Sequence, residues 1–588
     1  MAKSNYHFSP EEYELQLEPL IRELLDLESL TQTNYESVLR RHPKDGGGFF
    51  SKSEIIRGFR HLNQKLGWKL EERPLIEKLR MKPIRTQSGV APVTVLTKPF
   101  PCPGHCIFCP SDVRMPKSYI SSEPGAQRAA QHQFDPYAQT LSRLRTYHNI
   151  GHPIDKIELI ILGGTWSSYP ESYQLWFVRR CLDALNDAGT EVSAARPSFH
   201  LPPPTIDFRD QSQHIDGRKL EQSYNEVVSD FLRSQGHLEP ATECSTWNEL
   251  SQVQKANESA PARCVGLVLE TRPDHLDFEE LLRLRRLGAT KVQIGYQSLS
   301  DTVLNLNNRG HDVAATRRAM HLLRQAGFKI HAHWMPNLHG STPDLDIEDF
   351  ERVFNDPDFR PDELKIYPCS LVDTAELMSY YVAGDWQPYT AEDLLEVVVQ
   401  CMARTPEYCR LSRVIRDIPG TEIVDGNRVT NLREVAEREL ENRGIRSLDI
   451  RSREIRHRHV DPDRLQLEKL EYATSLGQEI FLQFVTDSHR IAGFLRLSLP
   501  RTGVAIPEIQ QSAMIREVHV YGLLARLGQK SGIRSQHLGL GRRLIEEAAE
   551  IARDQGFADL AVISSIGTRQ YYRDNGFDDG DLYQHKAL

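Results

Sequence analysis

Apolar positions along the chain change period several times, and the changes divide it into four parts. From Glu11 to Leu30 they recur at helical spacing through Leu17, Leu20, Ile21, Leu24 and Leu25, with Pro10 at a helix start, so residues 1 to about 84 read as helical. From 85 to about 385 short apolar runs alternate with helical stretches. Pro92–Leu96, Lys156–Leu162, Val265–Glu270, Lys291–Tyr296, Lys329–Trp334 and Leu364–Tyr367 read as strands, and Ala314–Ala326 as one of the helices between them. This alternation predicts an α/β fold, a parallel sheet curling into a partial or complete β/α barrel. A proline-rich, polar stretch from 188 to about 260 interrupts it and reads as a surface insertion. Residues 386 to about 465 read as a connecting module. In residues 466 to 588, Ile491–Leu497, Ile515–Val520 and Leu560–Ser564 read as strands, with a helix after Gly541, giving a second, mixed α/β domain.

Composition narrows the class. The chain has 588 residues, 39% hydrophobic and 26% charged, which fits a globular protein of several domains. No run approaches the roughly 18 apolar residues that span a bilayer, and the N-terminus lacks an apolar signal region, so a cytoplasmic protein without a membrane partner is expected. Nine cysteines, three of them crowded together, suit a reducing compartment and a metal site better than a disulfide framework. The net charge of −9 argues against a uniform nucleic-acid coat but leaves room for local basic faces. Two segments qualify. Arg60 to Arg85 is rich in Lys and Arg, including Lys78, Arg80 and Lys82, and Arg404 to Arg458 holds 13 arginines, no lysine and 10 acidic residues. Each reads equally well as a phosphate-binding face or as a solvated or ion-paired one. If they form one RNA-binding surface, affinity should fall steeply with salt.

The strongest chemical signal is Cys102-Pro103-Gly104-His105-Cys106-Ile107-Phe108-Cys109, a C-x3-C-x2-C loop that directly follows a strand. Three thiolates can hold three corners of a four-iron cluster and leave one iron open for a substrate. A zinc knuckle with His105 as fourth ligand is the alternative. The loop resembles that of radical S-adenosylmethionine (SAM) enzymes. A second signal is Gln536-His537-Leu538-Gly539-Leu540-Gly541 at a helix start, where glycines and free N–H groups suit a pyrophosphate. With the following helix, strand and Tyr571-Tyr572, it resembles the coenzyme-A loop of GNAT acetyltransferases. A packed tyrosine pair is the plainer account of Tyr571-Tyr572. A third signal is weaker: His331 and His333 face one side of a strand and Cys369 follows the next, so the three can be drawn as a zinc site, although buried, hydrogen-bonded histidines are the favoured account.

A radical SAM barrel followed by a GNAT domain is a rare pairing, and the likeness extends over nearly the whole chain. KPIRTQSGVA (Lys82 to Ala91), DKIELIILGGTW (Asp155 to Trp166), ETRPDH (Glu270 to His275), NRGHD (Asn308 to Asp312), RDIPG (Arg416 to Gly420), REVHVYG (Arg516 to Gly522) and GTRQYYRDNGF (Gly567 to Phe577) resemble the Elongator catalytic-subunit family of tRNA uridine acetyltransferases. The insertion near 188 to 260 departs most from that family. The resemblance implies a 4Fe-4S cluster on Cys102, Cys106 and Cys109, with SAM held by Gly163, Gly164 and Thr165 and by polar contacts from Glu270 and Gln297. It implies acetyl-CoA held by Glu517, Val518, His519 and Val520 through their backbone, and by Gln536, Gly539, Leu540 and Gly541. Lys156 would reach acetyl-CoA from the barrel, and Tyr571, or Tyr572 in its place, would contact the thioester. It further implies tRNA as partner, with other Elongator subunits beside it, the N-terminal helices as a tRNA-binding region, and a product, 5-carboxymethyluridine at the wobble position. SAM cleavage to a 5'-deoxyadenosyl radical and hydrogen abstraction from the acetyl methyl would lead to it. Two alternatives stay open from sequence: a protein lysine acetyltransferase using the GNAT domain alone, and a tRNA-binding scaffold.

Overall fold

The computed structural model describes residues 8–68, 70–81, 88–191, 223–234, 242–455, 460, 464–501, 503–521 and 539–588. Strands β1 (Ala91–Leu96), β2 (Lys156–Leu162), β3 (Arg263–Thr271), β4 (Lys291–Gln297), β5 (Lys329–Trp334) and β6 (Glu363–Ile366) lie side by side in chain order, all parallel. They alternate apolar residues outward against the crossover helices with mostly polar ones inward. β2 shows this directly: Ile157, Leu159 and Ile161 are buried while Lys156, Glu158 and Ile160 are half-exposed toward the lumen. A short strand, β7 (Leu371–Val372), follows. β8 (Arg410–Arg413) then completes the sheet beside β6, giving a seven-stranded half-barrel that does not close. β8 lies inside the segment expected to be a connecting module, so the barrel sheet runs past residue 385. β9 (Ile423–Asp425) pairs back with β7.

The C-terminal domain is a second seven-stranded sheet. β10 (Gln466–Ala473), β11 (Gly477–Val485), β12 (Ile491–Pro500) and β13 (Ser512–Val520) form an antiparallel meander, β14 (Asp559–Val562) joins β13 in parallel, and β15 (Asp578–Asp579) and β16 (Gln584–Ala587) finish the edge. The helix Leu540–Asp554 buries Leu544, Ile545, Ala548 and Ala552 against this sheet.

The N-terminal helices Glu14–Asp26, Gln32–Arg41, Lys52–Lys65 and Glu72–Leu79 enclose a small core of their own around Leu17, Leu20, Ile21, Leu24 and Phe59. Several basic side chains of this segment help fasten the unit. Arg60 donates to the His148 carbonyl (2.9 Å), Arg80 to that of Gly151 (2.8 Å), Lys78 to that of Leu27, and Lys65 pairs with Glu14 (2.5 Å). Lys82 and Arg85 lie outside the described residues. In the arginine-rich segment, Arg404, Arg410, Arg413, Arg416, Arg433, Arg443 and Arg453 each meet an acidic partner, so ion pairing accounts for most of that charge among the described residues.

The C-terminal domain docks beneath the barrel, at the N-terminal ends of its strands. A buried ion network makes the joint. Arg516 of β13 donates to Asp362, just before β6 (3.0 Å), to Glu479 (2.9 Å) and to the Phe328 carbonyl (2.7 Å), and Arg496 of β12 lies 3.5 Å from Asp362. Arg516, Asp362 and Glu479 are all 0% exposed. Burial alone would raise the Asp362 carboxyl, but Arg516, Arg496 and Arg324 outweigh it and hold it at about 2. A folded-state value below the ordinary 3.8 means this stabilisation is complete above that value and is lost as pH falls through about 2. Asp362→Ala is therefore expected to cost about 3 kcal/mol at neutral pH, because it removes the anion that two buried guanidinium groups share and leaves Arg516 with Glu479 and Arg496 with Glu517 alone. Thermal unfolding measured from neutral pH downward checks this, and a variant melting like wild type would contradict it.

Candidate active site

The cysteine loop leaves the C-terminal end of β1, and its sulfurs sit in different surroundings. Cys106 and Cys109 are buried and Cys102 is half-buried. Arg309 Nη1 lies 3.2 Å and Arg272 Nη1 3.9 Å from Cys106 Sγ. The hydrogen bond from Cys109, with the charges of Arg309 and Arg272, holds the Cys106 thiol well below its ordinary value, while Cys109 is pushed up. Gly104 lets Arg272 in, because a Cβ there would overlap its guanidinium. Cys102 Sγ faces Thr165 Oγ1 at 4.0 Å.

These surroundings suit an iron–sulfur cluster. Three thiols share one loop, and the two guanidinium groups favour the thiolate of Cys106, the form in which such clusters are held. Among the described residues no trio of metal-ligating side chains converges on a single-ion site, and an iron–sulfur cube holds its thiolates further apart than one ion does. His105 is exposed, which disfavours the zinc knuckle.

The other residues expected at this end gather around the loop. Gly163-Gly164-Thr165 follows β2. A Cβ on Gly163 would overlap Thr97 Oγ1, and Gly164 has φ +85°, so both positions need glycine. Glu270 accepts from the Tyr119 hydroxyl (2.9 Å), and burial raises its carboxyl. Gln297 closes β4 with φ +67°, and its Oε1 is buried without a partner. An orphaned amide oxygen and a raised carboxyl at strand C-termini are suited to a polar ligand above the sheet.

The expected acyl-CoA residues gather at the other end of the barrel. β14 pairs with β13 only over Ser512–Ile515, so the strand from Arg516 to Val520 has no neighbouring strand on that side among the described residues. Glu517, Val518, His519 and Val520 lie along this open edge, where an extended pantetheine-like chain can pair with backbone groups. The helix from Leu540 begins at Gly539, whose φ of +72° only glycine adopts readily, and its first turn lies beside that edge. A Cβ on Gly541 would lie 2.5 Å from the Tyr571 hydroxyl and 3.7 Å from Val520 Cγ2, so these three residues meet. Tyr571 is 42% exposed, whereas Tyr572 is buried edge-on against Phe577 (5.6 Å), and both line the cavity described below. Gln536 lies outside the described residues. Lys156 opens β2 at this lower end, in register with Arg263, which abuts Gly567.

One cavity of about 1680 Å³ joins the two ends. Cys109, Glu270 and Gln297 line its upper part, and Lys156, Glu517–Tyr521, Gly541 and Tyr571 its lower part. Between them the wall is polar. Lys291 bridges Glu158 (2.6 Å) and Glu363 (3.3 Å), and Lys329 bridges Glu363 (2.7 Å) and Glu517. His331 shares a hydrogen bond with Ser412 (2.7 Å) and His333 with Gln293 (3.0 Å), and burial keeps both well below the ordinary histidine value. Cys369 lines the same cavity but packs in an apolar cluster with Cys106, Cys109, Leu338 and Trp386. The histidines are thus hydrogen-bonded wall residues, and no zinc trio forms among the described residues. Arg272, Arg309 and Tyr119 went unassigned from sequence. The first two lie inside the matched motifs ETRPDH and NRGHD, which carried a signal.

Residues 256–354 match the Radical SAM superfamily model, and 361–442 match the Radical_SAM C-terminal domain. The chain is 35% identical to tRNA uridine(34) acetyltransferase of Methanocaldococcus infernus, over 97% of this chain and 98% of that protein. It is 33% identical to human Elongator complex protein 3, over 87% of each. The chain belongs to this family. The solved archaeal M. infernus Elp3 lacking residues 1–46 superposes with a TM-score of 0.66, at 33% identity, over 85% of this chain and 99% of that one. Within the family fold, Gly541→Ala is expected to displace Tyr571 and weaken acetyl-CoA binding about tenfold, or about 1.4 kcal/mol. Calorimetric titration checks it, and an unchanged Kd would show that the close approach of Gly541 and Tyr571 plays no part in binding.

Proposed function

We propose that this chain is a tRNA-modifying radical SAM acyltransferase that installs a carboxymethyl group at C5 of the wobble uridine. The observation that carries the reading is the single cavity linking the cysteine loop to the open edge of β13. In this reading Cys102, Cys106 and Cys109 hold a 4Fe-4S cluster. Gly163, Gly164 and Thr165 hold SAM with Glu270 and Gln297, and the β13 edge with Gly539 and Gly541 holds acetyl-CoA. When bound, these groups supply one-electron chemistry able to break an unactivated methyl C–H bond, together with a two-carbon unit. The protein supplies the rest. Arg272 and Arg309 offset thiolate charge, and Tyr571 and Lys156 bracket the acyl end of the lower site.

No transmembrane-length apolar helix occurs among the described residues. The partners in this reading are tRNA and, as for the complexes after which the animal relatives are named, further Elongator subunits. A GNAT domain acting alone on protein lysines is disfavoured, because its open edge faces the barrel lumen.

An anaerobic assay with reconstituted cluster, dithionite, SAM, acetyl-CoA and tRNA is expected to yield both 5'-deoxyadenosine and 5-carboxymethyluridine, and neither with Cys106→Ala. Intact SAM together with acetylated lysines would refute the reading.

A further inference from the structure

The segment between β2 and β3, expected from the sequence to be a surface insertion, places its helix Tyr224–Ser234 on the cysteine loop. Asn225 makes two hydrogen bonds to one residue. Its Oδ1 accepts from the Cys102 N–H (2.8 Å) and its Nδ2 donates to the Cys102 carbonyl (2.7 Å). One side-chain amide thus supplies the donor and acceptor that a neighbouring strand would offer. The preceding residue grips the far side of the loop. The Tyr224 hydroxyl donates to the Met115 carbonyl (2.8 Å), its ring packs with Val113, Val228 and Leu232, and the Lys117 ammonium lies 4.9 Å over it. The helix start is itself fixed, because the Ser223 N–H donates to Glu226 (2.7 Å). A second anchor from the same segment is the ion pair of Glu243 with buried Lys98, just before the loop.

Cys102 needs this help more than the other two. Cys106 and Cys109 are buried, and the loop between them is tied to the barrel by Ile107, whose N–H donates to the Asn307 carbonyl (3.2 Å) and whose carbonyl accepts from Leu377 (2.8 Å). Cys102 is half-buried, and its main-chain N–H and C=O are both taken by Asn225.

We propose that Asn225 is a positioning residue for the cluster: by holding the Cys102 backbone it keeps that sulfur aimed at the site shared with Cys106 and Cys109, so the insertion serves as a clasp on the cluster loop. The proposal rests on the radical SAM reading of the loop. Groups that orient a metal ligand typically matter by about 10- to 100-fold in metal affinity.

The test uses the full chain, reconstituted anaerobically, and compares wild type with Asn225→Ala and Asn225→Asp. Iron release to a chelator is followed by absorbance, the reduced cluster by EPR, and the fold by thermal melting. Asn225→Ala is expected to release iron about tenfold faster and to change the EPR signal. Asn225→Asp keeps an acceptor for the Cys102 N–H but opposes its carbonyl, and should fall between. A variant that melts earlier but matches wild type in iron release and EPR would make Asn225 a staple of its own helix and overturn the proposal. Where Asn225→Ala fails to fold, Asn225→Asp decides by the same two readouts. A wild-type chain that takes up no iron would instead overturn the reading of the loop.

Discussion

The arrangement of the molecule turns on a cluster of charges that water does not reach. Asp362 sits between Arg516 and Arg496, Glu479 completes the group, and every one of them belongs to the joint between the barrel and the C-terminal sheet. Isolated buried charges cost several kcal/mol each, so such a group is tolerated only when each member finds its counter-charge. The arrangement that satisfies all of them at once places β13 under the barrel. Lys329, Glu517, Glu363, Lys291 and Glu158 extend the same pairing up into the lumen. An apolar interface of equal area would tolerate sliding, whereas paired charges specify one orientation.

That orientation has a chemical consequence. Parallel β/α folds ordinarily bind ligands above the C-terminal ends of their strands, and the cysteine loop, the Gly163–Thr165 turn, Glu270 and Gln297 follow the rule. The open edge of β13, proposed to hold acetyl-CoA, instead meets the opposite end. A half-barrel with a polar lumen can therefore open toward two sites, one at each of its ends. The hydrogen-bonded His331 and His333 belong to that lining.

Much of this was legible in the sequence where the signal is local. β2 and β5 lie where their apolar runs place them, and β1, β3, β4 and β6 differ by a few residues at their ends. β8 was missed because Arg-Leu-Ser-Arg is short and mostly polar, and it becomes a strand through pairing with β6. β10 was missed because it is an edge strand with half its residues in water. The Arg60–Arg80 and Arg404–Arg453 segments show the limit of charge counting. Composition cannot tell a phosphate-seeking arginine from one already bonded to a carbonyl or a carboxylate, and here geometry assigns most of them to the second class.

The sequence by itself determined the chemistry: three thiols within one loop, a glycine turn after a strand, and glycines at a helix start act through neighbours a few residues away, so their spacing is their geometry. Only the tertiary structure decided how those chemistries are joined. Asn225 reaches Cys102 across 123 positions, Arg516 reaches Asp362 across 154, and Lys329 reaches Glu517 across 188. Contacts of that range leave no periodicity in the chain, because each partner is set by where the whole backbone has already gone.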